Sequence, residues 1–405
     1  MRSKKVVRFY SSFEPVTGLY REMAAALAAR GWAPEFVISA AEYAKGRGSL
    51  EESVTNTNTR ARVVRIPSFI RYRRTTIGRM VVSITYSVGA LVWALSRKSG
   101  AVNIYLTQPP LYLAVIPLLK ILKKERYICI INDLYPHVAA AAGYAREDSW
   151  LYRLSRRMVI RALQRADVVI AIGRCMRERL IREGVDENRI RIIENWTDAT
   201  KVYPVPRSEN PLAEKLGIKN EFVVLYSGNM GIAHEFDTLM DVMEELQGQP
   251  VRCVMVGEGA KRKTIEARIR ERGLTNMMLE PYLTEDWLKY SQSLGDVHFI
   301  SLNLRFTGLV VPSKAYSALA AGRPVIYEGS PDGEIARLVA EHRLGFVIEP
   351  GDRKSLKQSI LRLAQERSLG EDMGRRARAL AEGSYGKAIA LAKYGDVIEA
   401  SLSNT

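Results

Sequence analysis

The chain contains five apolar runs between residues 221 and 350, namely EFVVLYSG (221–228), VRCVMVGEG (251–259), DVHFISL (296–302), GRPVIYEG (322–329) and GFVIEP (345–350). Each run is followed by a helical or turn segment. Strands that are apolar throughout, instead of alternating with polar residues, are typical of parallel sheets covered by helices on both faces. The pattern predicts a doubly wound α/β domain in this half of the chain.

The first half of the chain has the same alternation of apolar runs and helical segments. Strands are predicted at VVRFY (6–10), EFVIS (35–39) and ADVVIAIG (166–173), with an Ala-rich helix at 19–30 that ends at Gly31. We therefore expect two doubly wound, Rossmann-like domains in series, which leave a cleft where a substrate pair is shut away from water.

The domain boundary is predicted from composition. Three prolines and several polar residues interrupt the periodic pattern in ENWTDATKVYPVPRSENP (194–211), which is typical of a joint. At ~100–200 residues per domain, a chain of 405 residues fits two domains. We place them at 1–200 and 201–384 and expect a C-terminal helix at about 385–405 to pack back on the first domain.

Composition narrows the class of protein. The chain is 47% hydrophobic and 26% charged, which excludes a disordered or collagen-like chain. Its net charge of +16 lies wholly in residues 1–200, which hold 33 basic and 17 acidic side chains, against 27 of each in 201–405. A basic first half predicts an anionic partner: phospholipid head groups, a pyrophosphate-bearing substrate or nucleic acid.

The compartment is predicted from the cysteines and the start of the chain. Cys129, Cys175 and Cys253 are far apart, which indicates neither a disulfide framework nor a zinc site. The opening MRSKKVVRFYSS lacks the apolar core of a signal peptide. Both observations favour the cytoplasm.

The segment Met80–Leu95 has sixteen residues without a charge. It is shorter than the ~20 apolar residues that span a bilayer. One interpretation is a buried helix of the first domain. The other is a helix at the membrane surface, whose basic neighbours Arg71, Arg73, Arg74 and Arg79 meet anionic lipid.

Two stretches of the second half carry residues suited to phosphate binding. In SGNMGIAHEFDTLM (227–240), Gly228 and Gly231 bracket Asn229 directly after a predicted strand, which favours close approach of backbone N–H groups to a phosphate. In VVPSKAYSALAAGRPVIYEG (310–329), Pro312 and Ser313 predict a helix start, Lys314 its first turn and Gly322 its end. A lysine in the first turn opposes the helix dipole, so an anion beside it is expected.

These motifs together carry a resemblance to a known family. The runs YSGNMGIAHEFDTLM, VGEG, VPSKAYSALAAGRPVI and PDGEIA, with INDLYPHVAAAAG (131–143) and RIIENWTD in the first half, resemble the family 4 glycosyltransferases of GT-B fold, particularly those that build bacterial exopolysaccharide or O-antigen on a lipid carrier. The resemblance implies retaining transfer of a sugar from a nucleotide-diphosphate donor. It places the donor on the C-terminal domain and the acceptor on the N-terminal domain, with no further cofactor.

Position by position, the resemblance places Asn229 where the family has a diphosphate-binding arginine and His234 where it has a basic residue, usually lysine. Lys314 is then the expected cation for the pyrophosphate. The family's two glutamates fall on Leu309 and Ser317, so the carboxylate for the ribose is expected from Asp332, Glu334 or Glu328. The full donor set is Gly228, Asn229, Gly231, His234, Gly257, Glu258, Ser313, Lys314, Ser317, Asp332 and Glu334.

The acceptor side is predicted from residues at the end of the strand YICIIN. Asp133 is the candidate that orients or deprotonates an acceptor hydroxyl and is, with Lys314, the predicted catalytic residue. Its neighbours Asn132 and His137, together with Glu14 and Gly18 from the loop SSFEPVTGLYRE (11–22), complete the predicted acceptor set. No Asp, Glu or His cluster has metal-ligand spacing, so activity without a metal is expected.

The sequence bears on three other functions. A nicotinamide oxidoreductase is excluded because SSFEPVTG, not Gly-x-Gly-x-x-Gly, follows the first strand. A sugar-nucleotide epimerase on the same fold and a basic nucleic-acid-binding protein remain as alternatives, although the second lacks a recognition motif. The favoured partner is a glycan or polyprenyl-diphosphate-linked acceptor at the inner face of the cytoplasmic membrane, with peripheral binding to anionic lipid and no nucleic acid.

Overall fold

The computed structural model describes residues 5–11, 18–40, 61–67, 76–97, 100–107, 110–113, 116–123 and 125–403. The chain divides into two compact units. Unit 1 comprises residues 1–193 and 391–405, and unit 2 comprises residues 194–390.

Unit 1 is built on a parallel sheet. Its strands are β1 (Lys5–Ser11), β2 (Trp32–Ser39), β3 (Arg62–Ile66), β4 (Val102–Leu106), β5 (Arg126–Ile131), β6 (Val168–Ala171) and β7 (Ile190–Ile192). They lie in the order β3-β2-β1-β4-β5-β6-β7, and every paired strand is parallel to its neighbour. The β1 and β4 strands are adjacent although they are not consecutive, so the chain reverses its direction of winding there.

The helices of unit 1 follow the strands. They are α1 (Gly18–Ala29), α2 (Thr76–Ser96), α3 (Pro110–Leu113), α4 (Ile116–Lys123), α5 (His137–Ala141), α6 (Trp150–Arg165) and α7 (Arg174–Arg182). Gly31 follows α1 at a φ of +85°, a conformation that glycine adopts without steric cost, and this ends the helix where the sequence predicts.

Unit 2 contains a second parallel sheet. Its strands are β8 (Phe222–Ser227), β9 (Val251–Val256), β10 (Met277–Glu280), β11 (Val297–Ser301), β12 (Val325–Glu328) and β13 (Gly345–Ile348). The order β10-β9-β8-β11-β12-β13 is the doubly wound order of a dinucleotide-binding fold. The predicted fold of two Rossmann-like α/β domains is confirmed.

The helices of unit 2 cover this sheet. They are α8 (Pro211–Lys215), α9 (Asp237–Glu245), α10 (Arg262–Glu271), α11 (Leu288–Leu294), α12 (Lys314–Ala320), α13 (Glu334–His342), α14 (Arg353–Gln365) and α15 (Arg367–Glu382). Short 3-10 turns in the two units cover Glu187–Arg189, Arg207–Glu209, Glu285–Trp287 and Leu304–Phe306. The core of unit 2 packs Phe222, Val224 and Tyr226 of β8 against Leu239 and Met243 of α9.

The last helix, α16 (Lys387–Ser403), begins in unit 2 and belongs to unit 1 from Leu391 onward. In unit 1 its residues Tyr394 and Ile398 are buried, and Asp396 forms an ion pair with Arg30 at 2.8 Å. The C-terminal residues are therefore part of the packing of the first unit.

Helix α2 has two different faces. Val82, Tyr86, Ala90 and Ala94 are buried at a spacing of four residues, and the Tyr86 hydroxyl donates a hydrogen bond to the Val37 carbonyl at 2.7 Å. The opposite face exposes Ile84, Val88 and Val92, whose exposed fractions are 46%, 57% and 62%. None of the described helices is long and apolar enough to cross a bilayer.

Candidate functional site

The candidate donor site lies in unit 2 at the carboxyl ends of β8 and β11. These two strands are neighbours at the point where the order of the sheet reverses. In open α/β sheets this position is where ligands bind, because the connections on either side diverge. Gly228 follows β8 directly, and Ser301 is the last residue of β11.

Two glycine turns pack against each other at this edge. Gly228 donates its N–H to the Val256 carbonyl at 2.8 Å, and Met230 donates to the Glu258 carbonyl at 2.7 Å. Gly257 has a φ of +145°, and a Cβ atom there would lie 2.1 Å from the Gly228 carbonyl oxygen. Only glycine permits this approach.

The predicted phosphate cradle is therefore corrected in part. The N–H groups of Gly228 and Met230 are used between the two turns and cannot also face a phosphate. The following helix begins only at Asp237, so it does not continue directly from the glycine turn. The Asn229 side chain lies over Gly231 and Gly259: Cβ atoms built there would be 3.0 Å from its Nδ2 and 2.6 Å from its Oδ1, respectively.

Lys314 extends from the first position of α12 to this turn. Its Cε would be 2.5 Å from a Cβ atom on Gly228, and its Nζ lies 5.1 Å from the centre of the Tyr226 ring. The Nζ also lies 2.7 Å from Nε2 of His234. Burial lowers the pKa of Lys314 from 10.5 to about 7. The structure thus brings together three residues predicted separately: Gly228, His234 and Lys314.

His234 is buried and neutral. Its Nδ1 lies 2.5 Å from the Ser301 carbonyl oxygen, and its side chain stands edge-on to Tyr226. Burial, with the nearby Lys314 charge, lowers the pKa of His234 to about 3. His234 therefore adds no positive charge to the site at neutral pH.

A second lysine stands behind the histidine. Lys261 forms an ion pair with Glu235 at 2.9 Å and donates to the His234 carbonyl. Asn303 donates to the other oxygen of Glu235 at 2.7 Å. The charge of Lys261 is balanced by this carboxylate, so Lys314 is the cation of the donor site that has no acidic partner among the described ion pairs.

The remaining donor-set residues have more varied surroundings. Ser317 shares a hydrogen bond of 3.1 Å with Thr197, and its hydroxyl thereby joins α12 to the segment after residue 193. Leu309 is buried at 5% exposure. Ser313 precedes α12 and is exposed without capping the helix through its side chain, while Glu258 is exposed and lies 3.6 Å from Arg262.

The three candidate carboxylates differ in accessibility. Glu328 is 1% exposed and accepts a hydrogen bond from Thr238, and burial raises the pKa of its carboxyl group. Through this hydrogen bond Glu328 joins the end of β12 to the start of α9. Glu334 begins α13 and is buried, whereas Asp332 is exposed in the turn before it. Asp332 is therefore the accessible carboxylate of the three.

The predicted acceptor residues lie in unit 1, at the end of β5. Asp133 is partly buried, and desolvation raises the pKa of its carboxyl group from 3.8 to about 6. Asn132 donates to the hydroxyl of Tyr20 in α1, whose first residue is Gly18. Glu14 lies outside the described residues.

His137 has a structural environment. It is 2% exposed, and its Nε2 lies 2.9 Å from Oε1 of Glu183. Arg156 and Arg179 also contact this carboxylate, at 2.6 and 3.4 Å. Packing against Glu183 is a structural role for His137, and its place in the acceptor set stays a prediction.

Four residues of the donor site were not predicted: Tyr226, Ser301, Lys261 and Glu235. Tyr226 and Ser301 belong to strands whose apolar character gave no chemical signal. Lys261 and Glu235 lie in a polar turn and beside His234, where charged residues are ordinary in sequence. Among the described residues, no three His, Cys, Asp or Glu side chains are grouped so that they could hold a metal ion.

Comparison with known proteins gives two family matches. Residues 19–196 match the model of the glycosyl transferase 4-like domain, and residues 208–380 match the model of the glycosyl transferases group 1. WbjE of Pseudomonas aeruginosa, which carries the name of a glycosyltransferase, is 27% identical over 309 residues, covering 76% of each chain. WcaI of Escherichia coli, named for colanic acid biosynthesis, is 24% identical and covers 74% of this chain and 75% of its own.

Solved structures agree on the fold. HepE of Anabaena, crystallised with UDP-glucose, superposes with a TM-score of 0.73 at 15% identity and covers 100% of both chains. Two family models match consecutive halves of the chain, and both halves have the doubly wound sheets described above. The chain therefore belongs to the glycosyltransferases of GT-B fold that combine a glycosyl transferase 4-like domain with a glycosyl transferases group 1 domain.

Proposed function

We propose that this protein is a retaining, metal-independent hexosyltransferase that uses a nucleotide-diphosphate sugar held by unit 2. The observation that carries the proposal is the Lys314 ammonium, which lies over the Gly228 turn with a neutral histidine as its partner. A cation without an acidic partner at the ligand-binding edge of a doubly wound sheet suits a diphosphate. The UDP-glucose complex of HepE supports a donor of this class.

In the proposed reaction the bond between the anomeric carbon and the diphosphate oxygen breaks, and a bond from the acceptor hydroxyl oxygen to that carbon forms on the same face. The leaving diphosphate oxygen takes the proton of the acceptor. The protein contributes position and charge stabilisation, and no base of special strength is needed. Lys314 stabilises the charge that develops on the leaving diphosphate, which is why we propose that no metal is required.

Asp133 is the proposed acceptor residue of unit 1. Its pKa of about 6 leaves most of the carboxyl group ionised at neutral pH, so it accepts a hydrogen bond from the acceptor hydroxyl. Its neighbour Asn132 donates a hydrogen bond to the Tyr20 hydroxyl, and this contact fixes the end of β5. We propose a glycan acceptor on a lipid carrier, in the synthesis of a bacterial cell-surface polysaccharide. The name of WcaI places that relative in colanic acid biosynthesis.

The surface of unit 1 supports a lipid-linked acceptor. Helices α2, α4 and α6 contact one another in series, α2 with α4 and α4 with α6. Exposed large apolar side chains are concentrated here and include Ile84, Val88, Val92, Leu118, Ile121, Leu122, Trp150, Leu151, Leu154 and Met158. The described residues of unit 2 expose only Tyr282, Leu304 and Ile389 in this class. An apolar surface of this extent is typical of an interaction site.

Basic residues accompany the apolar ones. Trp150 and Leu154 of α6 border a groove of about 700 Å³ together with Arg153, Arg157 and Arg161. Apolar side chains beside exposed arginines suit a membrane surface with anionic lipid, where each basic residue contributes ~1 kcal/mol. We therefore propose peripheral association with the inner face of the cytoplasmic membrane through this surface.

The donor assignment is tested by thermal shift with UDP, GDP, ADP and dTDP, since a ligand that binds only the folded state raises the melting temperature. One nucleotide should stabilise the wild type, and Lys314→Met should weaken that shift. In turnover with the matching sugar nucleotide, loss of Lys314 should cost ~2.7–4 kcal/mol of transition-state stabilisation. Lys357→Met, at a half-buried position of α14 away from the donor site, is the control. No shift with any of the four nucleotides would refute the donor site.

The membrane assignment is tested by flotation with liposomes that contain anionic or only zwitterionic lipid. Wild type should float with anionic liposomes and be released by salt. Leu122→Ser combined with Trp150→Ser should reduce flotation. Leu304→Ser in unit 2, where the leucine is 55% exposed against 58% for Leu122, should not. Wild-type protein that stays in the soluble fraction would contradict this part of the proposal.

A further inference from the structure

His234 and Lys314 form a pair in which only the lysine can carry a charge. A carbonyl oxygen can only accept a hydrogen bond, so the Nδ1 that faces the Ser301 carbonyl at 2.5 Å must carry the imidazole proton. The other ring nitrogen, Nε2, then presents a lone pair. It accepts a hydrogen bond from the Lys314 ammonium at 2.7 Å.

The groups around His234 and Lys314 fix the orientation of the Lys314 side chain. The Lys314 chain lies against Gly228, and its Nζ faces the ring of Tyr226. Another cation, Lys261, donates a hydrogen bond to the backbone carbonyl of His234, and its charge is balanced by Glu235. None of the ion pairs in the described part of the chain includes Lys314.

We propose that His234 is a positioning residue that holds Lys314 over the Gly228 turn as a proton-switched cation, so that binding of the donor diphosphate is coupled to uptake of one proton by Lys314. This inference rests on the proposed donor site in unit 2.

The chemistry of residue 234 explains why a histidine suits this role. A carboxylate there would neutralise Lys314 and compete with the diphosphate for the ammonium. A second ammonium would repel it. Neutral imidazole orients the ammonium and leaves its charge available to a ligand, and the ring stays neutral because burial and Lys314 keep the pKa of His234 at about 3.

The switch follows from burial of the lysine. Desolvation lowers the pKa of Lys314 to about 7 in the unliganded protein, so the neutral amine predominates at pH 8. A diphosphate beside the amine favours the charged form and raises that pKa again. Binding of a nucleoside diphosphate at pH 8 should therefore draw most of one proton from the buffer. The affinity for the nucleotide should fall as the pH of the solution rises above 7.

The first experiment is isothermal titration calorimetry at pH 8 with UDP, GDP, ADP or dTDP, whichever nucleotide binds. Running it in two buffers of different ionisation enthalpy gives the number of protons taken up. At this pH the terminal phosphate is already ionised and contributes little. We expect uptake of more than half a proton for wild type and close to zero for Lys314→Arg, whose guanidinium is always charged.

The second experiment separates positioning from folding. His234→Gln keeps a carbonyl oxygen that can accept from Lys314, whereas His234→Leu keeps volume but removes the acceptor. At pH 6.5, nucleotide affinity should stay within about threefold of wild type for His234→Gln and fall at least tenfold for His234→Leu. The pH at which affinity begins to fall should also move lower in His234→Leu, because the ammonium has lost its acceptor, and melting temperatures report any folding defect.

The results distinguish the two proposals. If no nucleoside diphosphate binds wild type, the donor site falls and this inference falls with it. If a nucleotide binds without proton uptake at pH 8, or if His234→Gln is as impaired as His234→Leu while both remain folded, the donor site stands and the switch is refuted.

Discussion

Replacing Lys314 with methionine should stabilise the protein at pH 6, and the gain should shrink as the pH rises. Burial lowers the pKa of Lys314 from 10.5 to about 7 in the folded state. Below pH 7 the folded protein holds a partly buried and poorly solvated ammonium, which costs free energy relative to the unfolded chain. Between pH 7 and 10.5 folding releases a proton, and the cost declines until it vanishes above 10.5. Methionine removes this cost because it is uncharged.

The magnitude follows from the pKa. At about 1.4 kcal/mol for each tenfold change, lowering the pKa from 10.5 to about 7 costs about 5 kcal/mol when the lysine is fully charged. Linkage leaves nearly all of this cost at pH 6 and about 2 kcal/mol at pH 9. Methionine also leaves Nε2 of His234 without its donor, which costs about 1–3 kcal/mol at either pH. The net gain should be about 2–4 kcal/mol at pH 6 and close to zero at pH 9.

Urea unfolding followed by circular dichroism at both pH values measures this difference. The comparison requires that wild type and Lys314→Met have equal denaturant slopes, which shows that they expose the same surface on unfolding. Lys357→Met is the matched control, because its partly exposed ion pair with Glu245 contributes at most ~1 kcal/mol. A stability difference that does not change between pH 6 and pH 9, or a Lys314→Met variant that is less stable at pH 6, would refute the reasoning.

Three further predictions concern other parts of the two units. Gly257→Ala should lower both the melting temperature and nucleotide binding, since the new Cβ atom would lie 2.1 Å from the Gly228 carbonyl oxygen; normal binding would show that the turns can separate. The rate of glycosyl transfer should fall as the pH drops below 6, where Asp133 becomes protonated, and Asp133→Asn should be about 100-fold slower without this acid limb; a rate profile with the same acid limb would exclude Asp133. Ile398→Ala should cost about 2–5 kcal/mol in urea unfolding, whereas Ile389→Ala, which is 39% exposed, should cost little; equal effects would argue against packing of the C-terminal helix in unit 1.

Most of the strands that the sequence predicts have a neighbour on both sides in the sheet; β13 is the exception, since it lies at an edge and is only partly buried. The three strands missed at sheet edges, β3, β7 and β10, each have a neighbour on one side only. Edge strands carry polar residues, as β3 does with Arg62 and Arg65, and this breaks the apolar pattern. The central strand β4 was missed for another reason, because the polar residue Asn103 interrupts its apolar run. The Asn103 side chain is buried, and hydrogen bonds with Tyr10 and Glu125 satisfy its polar atoms. Buried polar pairs of this kind depend on tertiary contacts that no local pattern contains.

In the candidate site, too, some features have a local sequence signal and others depend on tertiary contacts. The glycine turns and the start of α12 have local signals, and their residues are where the sequence predicts. The contact between His234 and Lys314 joins positions 80 residues apart, and it depends on the adjacency of β8 and β11. Ser317 likewise meets Thr197 across 120 residues. Sequence predicts the types of residue at the site, whereas their pairing depends on strand order.

The loss of positive charge relative to the family pattern is consistent with the geometry. Asn229 and His234 stand where the resemblance places basic residues, and Lys261 is balanced by Glu235. One ammonium in a partly buried site interacts with a diphosphate more strongly than the same charge in water, because the effective dielectric constant is lower. A site with a single cation that can lose its proton also holds the nucleoside diphosphate product less firmly than one with three permanent charges. Because product release limits the turnover of many enzymes, a weaker and reversible charge at Lys314 would favour turnover under the proposed function.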